Sequence, residues 1–404
     1  MRQFHMKKRI FCILFLICFG IGNWNVTVHA QENLMLYARS AVLIDADSGR
    51  ILYGQNEYEE RANASTTKIL TCILVLENAN LSDSITVSRN AASQPKVHLG
   101  MTESQIFRTE DLLYSLMLES HNDSAVALAE SVDGTVEAFA GRMNRKAKEI
   151  GCTQTHFITP NGLDAQDSEG FHHTTAADLA QIMRYCIQIS PQREKFLEIT
   201  QTEQYSFQDL TGTSNYSCYN HNAFLHMMDG ALSGKTGFTS EAGYCYVGAL
   251  RQGERTFIVA LLACGWPNHK SYKWADTKIL MNYALENYFY REISFSPEEQ
   301  YIKVEDGLKP DGYPALEPVQ LSALAEAKPL TLLLKEGEMV ETSYKLDETV
   351  SAPVEKGFCI GRMEVSLEGE IIAQYPIKTQ ETVEKRTFQK CFQYVMLKYI
   401  NIND

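Results

Sequence analysis

The stretch that most constrains this chain is the apolar run Ile69, Leu70, Cys72, Ile73, Leu74, Val75 and Leu76, opened by Ala64-Ser65-Thr66-Thr67-Lys68. A helix that is apolar all round has to be enclosed by other elements, so this run is read as a buried helix. Ser65 and Lys68 are three residues apart and stand on one face, one turn above each other. The Ser65 hydroxyl lies at the positive end of the helix dipole, beside N–H groups that no earlier turn can satisfy. An amine whose pKa is lowered by burial can take the hydroxyl's proton, which makes the pair a candidate nucleophile and base. On frequency alone, Ser-x-x-Lys is more often a surface cap followed by a solvated lysine. Ser93-Gln94-Pro95-Lys96 repeats the spacing and serves as a control. Pro95 fits only a first helical turn, and Val97-His98-Leu99-Gly100 has no sustained helical period, so this copy reads as a loop.

The first thirty residues are read separately from the fold. Arg2, Lys7, Lys8 and Arg9 precede an apolar core from Ile10 to Ile21, and Val28-His29-Ala30 resembles a small-x-small cleavage site. That is the pattern of a secretory signal peptide, too short for a comfortable membrane span. Cys18 is a poor lipidation site, because the bulky Ile17 precedes it. Without residues 1–30, whose charged residues are all basic, 33 basic residues face 50 acidic ones, a net charge of −17. Such a chain is a poor partner for nucleic acid. The remaining cysteines, from Cys72 to Cys391, show no CxxC spacing. In a chain this large they read as buried thiols rather than a disulfide framework. There is no zinc signature, His172-His173 reads as a loop pair, and no cofactor or metal is expected.

Ser40–Asp45 and Arg50–Tyr53 flank Ala46-Asp47-Ser48-Gly49 and predict a hairpin at the edge of an antiparallel sheet. Helices are expected from Ser65 to about Asn78, at Glu110–Glu119, at Ala125–Val132, at Val136–Ile150, and at Thr174–Ile189 with Thr174 or Thr175 as cap. Residues 81–108 read as irregular. Ala231–Phe238, Gly243–Leu250 and Thr256–Cys264 alternate as strands, and Trp274–Tyr290 reads as a long helix. The expected class is mixed α/β (α+β): one antiparallel sheet with helices on its faces and a helical lobe beside it. After about residue 292, prolines punctuate short strand-like runs, among them Leu330–Leu334, Val340–Leu346, Cys359–Leu367 and Ile371–Ile377, as in a small all-β domain. Residues 384–400 carry Phe388, Cys391, Phe392, Val395, Tyr399 and Ile400 at helical spacing among lysines. An amphipathic basic helix of this kind either lies in a membrane interface or docks on the β domain. The expected division is 1–30 signal, 31–291 catalytic, 292–382 β-rich and 383–404 amphipathic helix.

Three short motifs stand in order: Ser65-Thr66-Thr67-Lys68, Ser120-His121-Asn122 and Lys235-Thr236-Gly237. This order resembles the active-site serine penicillin-binding proteins and β-lactamases, with S-x-x-K, S-x-N and K-T-G. Ser88-Arg89-Asn90 is a second S-x-N, but it lies too soon after the Ser65 helix for the chain to return to the site. With the signal segment ahead and the later stretches Pro160-Asn161-Gly162-Leu163 and Phe238–Tyr244, the chain is most similar to the low-molecular-mass D-alanyl-D-alanine carboxypeptidases. The resemblance implies a serine β-lactamase/D,D-peptidase-like catalytic domain, and a substrate that is a peptidoglycan stem peptide ending in D-Ala-D-Ala. It implies covalent binding of β-lactams and a location on the outer face of the cytoplasmic membrane. Ser65 would attack the penultimate D-Ala carbonyl, Lys68 would be the base, and Ser120 would pass a proton to the departing amine. Asn122, Lys235 and Thr236 would bind substrate, Gly237 would let the peptide approach the strand, and the N–H groups of Ser65 and Phe238 would form the oxyanion hole. Two residues depart from the family pattern: Asn63, where many members have Pro, and His121, where many have Gly. A β-lactamase of class A would need a glutamate on a later loop. Glu169 lacks the surroundings for it. A D,D-endopeptidase would share the chemistry, and a catalytically idle wall-binding protein would share the fold.

Overall fold

The five strands that carry the catalytic half lie in the order Ile51–Gln55, Ser40–Asp45, Arg255–Leu262, Gly243–Gln252, Ala231–Thr239, all antiparallel. This is a computed structural model that describes residues 34–309 and 312–400. The expected signal segment lies outside the described residues. Every residue of Ser40–Asp45 is buried, as a central strand covered on both faces requires. Val42, Ile44, Ile258, Ala260 and Leu262 share one core with Ile69–Leu76, Leu179 and Ile182. The alternate residues Ala41, Leu43, Val259 and Leu261 are equally buried, as the two-residue period of a strand demands. The helices Ala176–Arg184 and Tyr272–Asn287 both pack on these strands.

The helix Lys68–Asn78 is buried along every residue from Lys68 to Leu76 and touches the helices Thr109–Leu118, Asn122–Asp133, Val136–Glu149, Ala176–Arg184 and Arg193–Gln201. The helix expected to run to Ile189 is regular only to Arg184. Thr175 caps it by accepting the Asp178 N–H at 3.0 Å, and Tyr185–Ile189 continues as a wider π turn. Residues 81–108 are more ordered than their composition suggests, with Ser84–Thr86 pairing Ile106–Arg108. The helix Arg193–Gln201 and the hairpin Gln204–Gln208/Asn215–Tyr219 were not anticipated.

The long helix ends at Asn287, not Tyr290, because Tyr288–Ile293 pairs antiparallel with Leu330–Lys335. That strand pair stands apart from a six-stranded sheet in the order Val340–Leu346, Cys359–Leu367, Glu370–Thr379, Val319–Ala325, Gln300–Glu305, Thr349–Ser351. Arg50 ties the halves together, donating to the Glu338 carboxylate at 2.8 Å and to the Leu333 carbonyl at 2.5 Å. From Leu36 onward the described residues form one compact unit. The helix Phe388–Ile400 buries none of its residues, and Phe388, Phe392, Val395 and Ile400 are all exposed. Among the described residues no helix is long and apolar enough to cross a membrane.

Candidate active site

Ser65 sits in a tight 3-10 turn, Ala64–Thr67, that precedes the α-helix at Lys68. The turn forms because its own hydroxyls satisfy the backbone. Thr66 Oγ1 donates to the Asn63 carbonyl at 2.6 Å and Thr67 Oγ1 to the Ala64 carbonyl at 2.9 Å. Asn63 fills the position before the turn with a fully buried amide that donates to Thr66 Oγ1 at 3.1 Å and Thr67 Oγ1 at 2.9 Å. Ala64 has a φ of +50°, left-handed backbone that costs a non-glycine residue about 1–3 kcal/mol. The loop Pro160–Leu163 presses against it. Gly162 has a φ of +79°, and a Cβ there would lie 2.0 Å from the Ala64 carbonyl oxygen.

Lys68 is buried and gathers three segments. Its Nζ lies 2.8 Å from Ser65 Oγ, 2.9 Å from Asn122 Oδ1 and 2.6 Å from the Asn161 carbonyl oxygen. The Asn122 amide is oriented by donating Nδ2 to the Pro95 carbonyl at 3.0 Å, so Oδ1 is the atom that faces the lysine. Burial drives the Lys68 pKa well below its usual value; the charge of Lys235 adds to this and Asp123 opposes it. A neutral amine has two protons and one lone pair. Asn122 Oδ1 and Asn161 O can only accept, so they take the two protons, and the lone pair is left facing the one partner that can donate, the Ser65 hydroxyl. The geometry is that of a base already aimed at its proton.

Two residues before Asn122, Ser120 also has left-handed backbone, with φ +68°, and its Oγ accepts from Lys235 Nζ at 2.8 Å. Lys235 Nζ also donates to the Thr236 carbonyl at 3.1 Å, and burial brings its pKa down to about 7. The strand Ala231–Thr239 is the sheet edge, with Phe238 opposite Tyr244. Tyr244 spends its N–H on Gly265 O and its carbonyl on Cys264 N–H. Phe238 is therefore in a non-hydrogen-bonded pair, and its N–H points off the open edge. Gly237 answers to packing. A Cβ there would lie 2.9 Å from the Ser65 nitrogen and 3.1 Å from Ala64 Cβ, so the glycine lets the nucleophile turn reach the strand. Ser65, Ser120, Lys235, Thr236, Gly237 and Phe238 line one cleft of about 430 Å3, within the usual size of a ligand site. His121 points away from the lysines' partners: its Nδ1 lies 2.8 Å from Ser115 Oγ, and burial pushes its pKa down to about 4.

Residues 26–264 match the D-alanyl-D-alanine carboxypeptidase family. The chain belongs to that family. Residues 320–385 match the C-terminal domain of penicillin-binding protein 5. The chain is 28% identical over 360 residues to D-alanyl-D-alanine carboxypeptidase DacF of Bacillus subtilis, covering 87% of each. It is 28% identical over 382 residues to DacC of Escherichia coli, covering 90% of this chain and 88% of the other. Among solved structures, DacD of Francisella tularensis aligns with a TM-score of 0.67 at 23% identity, over 88% of this chain and 95% of that one. Penicillin-binding protein 5 of Haemophilus influenzae aligns with 0.63 at 24%, over 87% and 99%. Both share the two-part fold: a mixed α/β catalytic domain with an antiparallel sheet, followed by a β domain.

The motif residues thus meet in two bonded groups, Ser65–Lys68–Asn122 and Ser120–Lys235, joined through the short segment Ser120-His121-Asn122. Sequence reasoning missed the Asn161 carbonyl, the third partner of Lys68. A backbone oxygen carries no residue signature, and only the turn-forming Pro160-Asn161-Gly162 marked its place. It also missed His172, read as half of a loop pair. His172 is buried, with Nε2 2.9 Å from Thr67 Oγ1.

Proposed function

We propose that this chain is a serine-type D-Ala-D-Ala carboxypeptidase that removes the terminal D-Ala from peptidoglycan stem pentapeptides and is acylated by penicillins at Ser65. The observation that carries the reading is the buried Lys68 Nζ, 2.8 Å from Ser65 Oγ and held by two acceptor-only oxygens. Lys68 takes the hydroxyl proton as Ser65 attacks the penultimate D-Ala carbonyl. The oxyanion is received by the N–H groups of Ser65 and Phe238, each such donor being worth about 10²–10³ in rate. Ser120, bonded to Lys235, gives its hydroxyl proton to the departing D-Ala amine and takes up in its place the proton that Lys68 removed from Ser65, which leaves Lys68 neutral again. Lys235 and the Thr236 hydroxyl hold the terminal carboxylate, and Asn122 orients both Lys68 and the peptide. Water then hydrolyses the acyl-enzyme.

The same reading divides the chain into a signal segment 1–30, a catalytic domain 31–291, a β domain 292–382 and a helix 383–404. It places the protein outside the cell, with the exposed apolar residues of Phe388–Ile400 lying in the membrane interface. The test is to incubate the protein without residues 1–30 with a D-Ala-D-Ala pentapeptide and, separately, with a fluorescent penicillin. Free D-Ala and a long-lived penicillin adduct, both absent in Ser65→Ala, are expected. Rapid penicillin turnover would instead indicate a β-lactamase, and release of D-Ala by Ser65→Ala would overturn the nucleophile assignment.

A further inference from the structure

We infer that His172 is a positioning residue for this reaction, a strut that fastens the turn bearing Ser65 to the loop bearing the Asn161 carbonyl. The inference rests on the carboxypeptidase reading and adds to it a residue outside the three motifs. The imidazole stands between two chain segments, and every proton in its network can be placed. His172 Nδ1 accepts the backbone N–H of Ile158 at 3.0 Å and that of Thr159 at 3.3 Å. A ring nitrogen that accepts N–H bonds carries no proton, so the ring proton is on Nε2. Nε2–H therefore donates to Thr67 Oγ1 at 2.9 Å. Thr67 Oγ1 already receives the Asn63 amide at 2.9 Å, and so its own proton goes to the Ala64 carbonyl at 2.9 Å. Burial favours the same neutral ring.

The two ends of this chain of bonds are the two sides of the base site. Ala64, held in left-handed backbone, is the residue before the nucleophile. Ile158 and Thr159 run directly into Pro160-Asn161-Gly162, whose Asn161 oxygen lies 2.6 Å from Lys68 Nζ. Thr71 Oγ1 donates to the Pro160 carbonyl at 2.6 Å, which ties the loop to the helix one turn further on but leaves the strained turn untouched. His172 acts on Ala64 through Thr67, so it sets where Ser65 Oγ stands relative to the lone pair of Lys68. Catalysis depends steeply on such placement, with about 10²-fold lost for a 1 Å error. The role is separable from plain core packing, because it should appear in the chemical step and depend on a single hydroxyl.

The experiment measures acylation by a fluorescent penicillin as a function of concentration, resolving the limiting rate from the non-covalent dissociation constant. His172→Asn keeps an acceptor near Ile158 but has no atom that reaches Thr67; Thr67→Val removes the hydroxyl and keeps the shape. Each is expected to lower the limiting rate about 10–10²-fold with the dissociation constant within about threefold. The double variant should lose no more than the worse single one, because both break one chain. Thr67→Ser, which restores the hydroxyl, should recover most of the rate. Folded variants that acylate at the wild-type rate, or losses that multiply in the double variant, would overturn the inference. If His172→Asn does not give a cooperative melt, Thr67→Val and Thr67→Ser decide alone, and equal rates for those two would overturn it. An unmodified protein that is never acylated would instead sink the carboxypeptidase reading itself.

Discussion

Lys68 and Lys235 are two buried lysines bonded to the two ends of Ser120-His121-Asn122, and their sets of partners differ. Lys68 is met by oxygens from three separate segments, two of which can only accept. Lys235 has two partners, Ser120 Oγ and the carbonyl of its own neighbour Thr236, and no carboxylate among the described residues. A protonated lysine has three donors, so Lys235 keeps one to offer on an open strand edge. Burial lowers both pKa values; on the proposed mechanism the first lysine works as a neutral amine and the second awaits an anion. Burial makes a lysine titratable near neutrality, and the donor–acceptor count around it decides what the titration is for.

The largest break in this contrast comes from removing the base. Lys68→Met keeps the length and apolar stem but takes away the proton acceptor. The limiting rate of acylation by penicillin is expected to fall about 10²–10⁴-fold, the usual worth of a positioned general base. Non-covalent penicillin affinity should change far less, because Lys68 lies behind Ser65 rather than against the carboxylate site. A variant that acylates within tenfold of the parent would mean that another group takes the Ser65 proton.

A smaller change separates the second lysine from the first. With Lys235 titrating at about 7 in the free protein, kcat/KM for a peptide with a free terminal carboxylate should fall as pH rises through 7, because the cation is lost on that side. The acid limb belongs to Lys68, which must lose its proton before it can serve. Lys235→Arg stays charged at every working pH, so its alkaline limb should vanish while the rate drops about tenfold through altered fork geometry. A peptide amidated at its C-terminus should show no such limb even with Lys235 present. An unchanged limb in Lys235→Arg would assign it to another group.

The same contrast explains what the chain discloses before it folds. Ser65, Lys68, Ser120, Asn122 and Lys235 to Gly237 could be picked out because their types and order along the chain are distinctive, and the structure bonds Ser65 and Asn122 to Lys68 and Ser120 to Lys235. The strands Ala231–Thr239, Gly243–Gln252 and Arg255–Leu262 were legible because a central sheet imposes a period on its residues. Asn161 was not, since only its backbone oxygen meets Lys68; the N–H of Phe238 was named through the family resemblance alone, and its outward direction depends on Tyr244 being engaged with Gly265 and Cys264. Gly237 was assigned to peptide approach; the structure shows a second demand on it, since a Cβ there would meet Ser65 N and Ala64 Cβ. The helix Arg193–Gln201 and the hairpin after it carry few apolar residues and leave a weak local pattern. Leu330–Lys335 was grouped with the β domain, but its partner is Tyr288–Ile293, a long-range pairing that no local window contains.

The smallest expected effect tests whether the two lysine groups are independent. His121 sits between Ser120 and Asn122, one bonded to each lysine, yet its Nδ1 faces Ser115 and not the cleft. The charged groups around it are Asp123, Glu119, Lys68 and His98, and burial still prevails, so the folded ring stays neutral down to about pH 4. In the unfolded chain a histidine takes up its proton near pH 6.5. Between those values the unfolded state binds the extra proton, so His121 removes stability as pH falls, by about 1.4 kcal/mol per pH unit at most. His121→Gly should therefore flatten the pH dependence of the unfolding free energy between pH 6 and 5 by about 1 kcal/mol, measured by denaturant titration against the parent. Since the ring is uncharged in that range when folded, its charge cannot steer Lys68, and the acid limb of acylation should stay where it was. A shift of that limb by a full pH unit would show that the two lysine groups communicate through His121, and that the lysines cannot be assigned their tasks separately.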